Sequence, residues 1–174
     1  MAFPSLAAAP LWVRAERGPL FHVGDAVALV ALARLFLFVR ETKGANRGVW
    51  VELFLKYTDN QPGDSWCCSF VCFLLSIYYK GKSPLTKTAS CATLLGQAQK
   101  LGYLTTTPQS GDLFFYLDAS GHAHHVGIVT DYQHPELVGI AGNTSPDGKS
   151  SNGDGVYEHA ISGRMAFVRL PAPK

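Results

Sequence analysis

An α+β fold is predicted by three features of the chain. Helical apolar patterns fill the part before Gly102, short strand-like patterns fill the part after it, and brief turns join the strand candidates. Helices followed by a run of turn-linked strands give helices packed on a mainly antiparallel sheet. The 174 residues suit one globular unit, since domains usually hold about 100–200 residues. No repeat, low-complexity block or Ser/Gly linker divides them.

In chain order, Gly24-Asp25 offers an N-cap for a first helix from about Ala26 to Glu41. Ala, Leu and Phe dominate it, so most of its circumference should be covered. A second helix is expected over Val49–Tyr57, with Val49, Leu53 and Tyr57 on one stripe. The loop TDNQPGDS then leads into WCCSFVCFLLSIYYKG, which has the length of a buried helix and ends at Gly81, a suitable C′ residue. A fourth helix is expected from Ser90 to Leu101, stopping at Gly102. Strands are expected at Leu113–Leu117, His125–Tyr132, Leu137–Ala141, Val156–Ile161 and Met165–Leu170.

Composition excludes several classes. The chain is 47% hydrophobic and 16% charged, which excludes a disordered chain. Its 15 Lys+Arg nearly balance 13 Asp+Glu, so no nucleic-acid footprint is expected. The apolar run from Ala26 to Val39 is broken by Arg34 and falls short of the roughly 20 residues a membrane span needs. The N-terminus has no basic region ahead of its apolar part, and Pro4 and Pro10 interrupt any helix there, so no signal peptide is expected. The expected site of synthesis is the cytoplasm.

Four cysteines first suggest two disulfides. Yet Cys67, Cys68 and Cys72 share one helix, where side-chain directions make bonds among them poor. A buried helix uses such cysteines as small apolar fillers, and Cys68, Cys72 and Cys91 fit that role. Cys67 carries a second reading. It sits in the first turn of the third helix, where unpaired N–H groups and the helix dipole stabilise a thiolate. The same donors are available to a developing oxyanion.

His122, His124 and His125 fall within SGHAHHV, ahead of the strand HHVGIVTDY. Strand alternation sends His124 and His125 to opposite faces, His125 with Gly127 and Val129, His124 with Val126 and Ile128. Gly127 should leave open space beside His125, which makes His125 the candidate base for a cysteine nucleophile. His22, His134 and His159 are expected at the surface. Asn143, at the end of LVGIAGN, is the candidate to orient the imidazole, against ordinary turn chemistry in Gly-Asn-Thr-Ser. Asp112, in a Ser-Gly-Asp turn, is expected to be structural. No CxxC pair or HExxH run points to a metal, and the loop from Asp147 to Gly155 does not match calcium-loop spacing. No cofactor is expected.

Taken together, these residues resemble the CHAP/NlpC-P60 group of papain-like cysteine peptidases and amidases. The resemblance runs from about Glu41 to the C-terminus, through ETKGANRG, DSWCCSFVCFLL, SCATLLGQAQKLGY, QSGDLFFY, HHVGIV, AGNTS and GVYEHAISGRMAFVRL in the family order. It implies a papain-like fold, with 41–174 as a CHAP-like catalytic domain and 1–40 as an N-terminal extension whose helix packs on it. It implies Cys67 as nucleophile, with Cys68 its main competitor, His125 as base and Asn143 as orienting group. Trp66 then belongs to the Trp-Cys motif at the substrate site, and Gln61 takes the oxyanion-hole position on spacing alone. The chain departs from some members at Ala141, where they carry an acidic residue, and at Cys68, where a small residue is common.

The function so implied is a peptidoglycan hydrolase cutting an amide bond of the stem peptide, as muramoyl-alanine amidase or endopeptidase. A monomeric phage endolysin released through a holin would fit. So would a secreted antibacterial effector acting in the periplasm, with an immunity protein as partner. Other readings are an intracellular amidase on a small thiol conjugate, a metal-binding module built on His122, His124 and a cysteine, and a catalytically dead wall-binding relative.

Overall fold

Helices precede strands, with Gly102 between them. The computed structural model describes residues 26–133 and 136–174. Four helices, α1 (Ala26–Arg34), α2 (Val49–Tyr57), α3 (Cys67–Tyr78) and α4 (Cys91–Lys100), pack on an open six-stranded sheet. Its strands are β1 (Leu104–Thr105), β2 (Leu113–Leu117), β3 (Ala123–Gln133), β4 (Glu136–Thr144), β5 (Gly155–Ile161) and β6 (Met165–Val168). Their order is β1-β6-β2-β3-β4-β5, and every neighbouring pair is antiparallel. This is the α+β arrangement the sequence predicts. The two-residue β1, paired to β6 through Leu104–Val168 and Thr105–Phe167, was not expected, because two residues carry no periodic signal. His22, His134 and the proposed cap Gly24-Asp25 lie outside the described residues. No helix among the described residues is long and apolar enough to cross a membrane.

The centre of the molecule is α3 against β3 and β4. Nine of its residues are buried, among them Phe70, Val71, Leu74 and Leu75. Each such side chain contributes about 1.5–3 kcal/mol when fully removed from water. The buried Ser69 hydroxyl is satisfied by Thr58 at 2.6 Å, and the Thr58 hydroxyl donates to the Leu55 carbonyl. Leu29, Val30 and Ala33 of α1 and Phe54 and Leu55 of α2 complete this core. A smaller cluster of Phe114, Val129, Ala141 and Ile161 forms separately, with Tyr116 and Phe167 against it.

Helix ends explain two departures from expectation. The first helix stops at Arg34 rather than Glu41. Turns from Leu35 to Leu32, Phe36 to Ala33 and Leu37 to Arg34 tighten it, and Arg40 then bridges to Gly155 on β5. The Arg40 guanidinium donates to the carbonyls of Leu37, Val39 and Val156, which locks that exit. Sheet pairing therefore overrides an apolar sequence that would continue as helix. At the end of α3, Lys80 takes the left-handed C′ position (φ 50°), and Gly81 is one residue beyond. Its N–H reaches back to the Ser76 carbonyl while that of Lys80 reaches Ile77, a Schellman closure. At α4 the expected residue serves, since Gly102 is C′ with φ 72°.

Candidate active site

Trp66 immediately precedes α3 and has no cap side chain of its own to offer. Tertiary contacts fix it instead. Its indole stacks on Phe54 with centroids 5.9 Å apart and meets Phe70 edge-on. Opposite lies Gly142, where a Cβ would fall 2.5 Å from the indole Cζ3. The indole Nε1 donates to Glu41 Oε1 at 3.0 Å, and Glu41 Oε2 accepts from the Asn46 backbone N–H at 2.7 Å.

Asn143 closes this network. With its amide oriented to suit its neighbours, Oδ1 accepts from the Trp66 backbone N–H at 3.3 Å. Its Nδ2 donates to Asn46 Oδ1 at 2.9 Å and to the Gly153 carbonyl at 3.2 Å. Asn46 Nδ2 in turn donates to the Gly63 carbonyl in the loop before Trp66. Asn46 and Asn143 both have left-handed backbones, φ 55° and 58°, a conformation Asn tolerates better than most residues. The Asn143 amide is thus engaged with the head of α3, whereas the sequence reading assigned it to the imidazole.

Cys67, the first residue of α3, is 4% exposed, and its Sγ lies 3.7 Å from that of Cys91, the first residue of α4. All four cysteines are free thiols. Cys68 and Cys72 each donate to the Thr88 carbonyl, at 3.2 and 3.3 Å. The hydrogen bond with Cys91, followed by burial, pushes the Cys67 thiol well up, while the imidazole of His125 draws it down. Cys91 is pulled down to about 5, first by the Cys67 hydrogen bond and then by that of Cys68. The thiolate that the helix head was expected to favour at Cys67 is therefore opposed there by Cys91 and by burial, and Cys91 is the more acidic of the two.

His125, on β3, is 1% exposed, and neither ring nitrogen has a hydrogen-bond partner among the described residues. Its ring lies beside Tyr116, the cross-strand neighbour, with centroids 6.0 Å apart. The register slips between Tyr116 and Leu117, which pair with His125 and Ala123 and leave His124 as the extra residue. That bulge corrects the expected alternation. His124 does not join Val126 and Ile128 in the core; it is exposed and lies 6.4 Å from the same Tyr116 ring. Gly127 needs a second correction. Its missing side chain leaves no open space beside His125, because a Cβ would meet Phe114 and the Ile140 carbonyl, each at 2.5 Å.

Gln61 lies on an exposed turn, its backbone N–H bonded to Asp64, and lines a surface cleft with Glu52, Lys56 and Asp59. Asp112 is buried and held by Arg169 and the Gln109 N–H, which is structural work. His159, expected at the surface, is buried, with Nδ1 on the Ala160 carbonyl. The side chains of the suggested metal module are not assembled. His122 is 76% exposed, the cysteines are buried, and no cluster of three potential ligands exists among the described residues.

Sequence reasoning missed Glu41, Asn46 and the placement of Cys91. The first two lie in an irregular segment where periodicity says nothing. Cys91 carried a readable signal, because Ser90-Cys91 heads a helix just as Trp66-Cys67 does. No protein-family model, curated protein or solved structure matches the chain.

Proposed function

We propose that the chain is a papain-like amide hydrolase of the CHAP/NlpC-P60 kind, with Cys67 as nucleophile and the peptidoglycan stem peptide as substrate. One observation carries the reading. A buried imidazole with no hydrogen-bond partner at either nitrogen among the described residues acts on the thiol at a helix head and draws its pKa down. Buried polar groups are normally paired, and leaving one unpaired costs about 1–3 kcal/mol. A base awaiting a proton accounts for that cost.

His125 takes the Cys67 proton, and the thiolate attacks the amide carbonyl carbon. Unpaired N–H groups in the first turn of α3 stabilise the oxyanion. The imidazolium then protonates the departing amine, leaving a thioester that water, activated by neutral His125, hydrolyses. Asn143 contributes by holding the head of α3, and burial beside Tyr116 orients the imidazole. Trp66 sets the angle of the nucleophile; Gln61 has no part in this version of the site.

The biological setting is either a holin-released endolysin or a secreted effector with a cognate immunity protein, acting at the cell wall. A holin or an immunity-type gene beside this one separates the two. The near-complete burial of Cys67 and His125 also suits an amidase acting on a small thiol conjugate. Turbidity of purified cell walls tests the main reading. The parent chain should clear them and Cys67→Ala should not, and mass spectrometry of the released muropeptides identifies the bond. Equal clearing by Cys67→Ala would refute the mechanism. No clearing by the parent, with hydrolysis of a small thiol-conjugate amide, would move the substrate to the second class.

A further inference from the structure

The two helix-heading thiols meet, although neither their positions in the sequence nor the proposed hydrolysis requires it. Cys67 and Cys91 come from different helices, and both are buried. Their sulfurs are 3.7 Å apart; a disulfide needs about 2.05 Å, so the approach required is roughly 1.7 Å. Of the other two, Cys68 also acts on Cys91 through a hydrogen bond and is the competing partner. Cys68 and Cys72 both point their S–H groups at the Thr88 carbonyl, and sharing one helix makes them poor partners for each other. The connection from Tyr79 to Ser90 contains no helix or strand, and the only gap left to close is the short one between the two sulfurs.

We propose that Cys67 and Cys91 form a reversible disulfide, a modification site that switches the Cys67 thiol off under oxidising conditions. The oxidant is a hydroperoxide. The Cys67 thiolate attacks one peroxide oxygen, the O–O bond breaks, and Cys67 becomes a sulfenic acid while the departing oxygen leaves as water after protonation. The Cys91 thiolate then attacks the Cys67 sulfur and expels hydroxide, which takes up the remaining proton. Two thiols and one hydrogen peroxide thus give one disulfide and two waters. A dithiol reverses the bond by exchange. Cys91 thereby also protects Cys67 from further, irreversible oxidation. The consequence for hydrolysis rests on the proposed role of Cys67; the bond itself does not.

The test is peptide mapping of the full chain. After treatment with hydrogen peroxide, remaining thiols are blocked with N-ethylmaleimide and the chain is digested without reductant. A Cys67–Cys91 cross-linked peptide, two hydrogens lighter than its parts and absent after dithiothreitol, is the expected result. Cys67 as sulfinic acid beside an alkylated Cys91, or a cross-link confined to Cys68 and Cys91, overturns the proposal. Cys91→Ser should send Cys67 to the sulfinic acid at peroxide levels that leave the parent recoverable; equal recovery in both chains also overturns it. Should the variant not fold, the parent mapping decides alone. Wall hydrolysis read in parallel separates the two ideas. A disulfide that forms without changing hydrolysis refutes Cys67 as nucleophile and leaves the bond in place as a site.

Discussion

Two helices in this molecule begin with a cysteine, and their beginnings are built differently. At α4 the cap is local: Ser90 has an extended backbone, and its hydroxyl accepts from the Thr93 N–H three residues on. At α3 the cap position holds Trp66, which offers no side-chain acceptor. The Trp66 N–H is satisfied by Asn143 at the end of β4, distant in sequence, and its indole is pinned by Glu41, Phe54 and the gap at Gly142. A locally capped helix starts where its own sequence says. A helix capped from afar starts where the whole fold puts it, so the position of Cys67 depends on the loop after α1, on α2 and on β4 together. That is the construction the proposed role of Cys67 would need, since a misplacement of about 1 Å can cost an enzyme roughly 100-fold in rate.

The sharpest break of this comparison is chemical. Cys67→Ala should lower wall hydrolysis by at least about 10³-fold with little change in urea unfolding, as loss of a nucleophile does. Loss on Cys91→Ala with activity kept in Cys67→Ala would transfer the nucleophile to α4. Next comes the remote cap. Asn143→Gly keeps the left-handed backbone but leaves the Trp66 N–H and the Asn46 amide short of partners. It should destabilise the chain by about 3 kcal/mol in urea, with Asn143→Ala worse by about 1–2 kcal/mol for its backbone. A cost below about 0.5 kcal/mol, the size of an ordinary surface change, would mean the remote cap holds nothing.

Gly142→Ala drives a methyl into the Trp66 ring. Overpacking of this sort costs about 1–3 kcal/mol, and here it should also lower hydrolysis, because the displaced indole carries Cys67 with it. Unchanged kinetics would separate Trp66 from the site. The smallest effect belongs to the local cap. Ser90→Ala should cost about 1 kcal/mol by thermal or urea unfolding and leave hydrolysis nearly untouched, because nothing in α3 depends on it. A larger loss of hydrolysis than of stability would show that the two helix heads work as one unit.

The readable parts of the chain were those governed by neighbours a few residues away. Val49–Tyr57 and Leu113–Leu117 appear with the limits their apolar spacing predicts, and Gly102 ends α4 as a C′ glycine should. Ser90 announced its helix for the same reason. Readings that needed distant information went astray. The apolar run after Arg34 looked helical until β5 captured Arg40, and the alternation around His124 failed because a bulge is a property of two strands rather than one. Gly127 looked like room for a cysteine, but the room belongs to Phe114, from a strand earlier in sequence and adjacent only in the sheet.

The sequence by itself determined the α+β order, the elements that cross the core, and the placing of Cys67 at a helix head and His125 on a strand. These follow from periodicity, caps and turn residues, which act over one or two turns of chain. Only the tertiary structure decided the environment of those two residues. It gave Asn143 to Trp66 rather than to His125, joined Glu41 and Asn46 to the head of α3, and set Cys91 against Cys67. Hydrogen-bond partners and sulfur contacts form across 3 or 4 Å of space, and spacing along the chain does not encode which distant residue will fill that space.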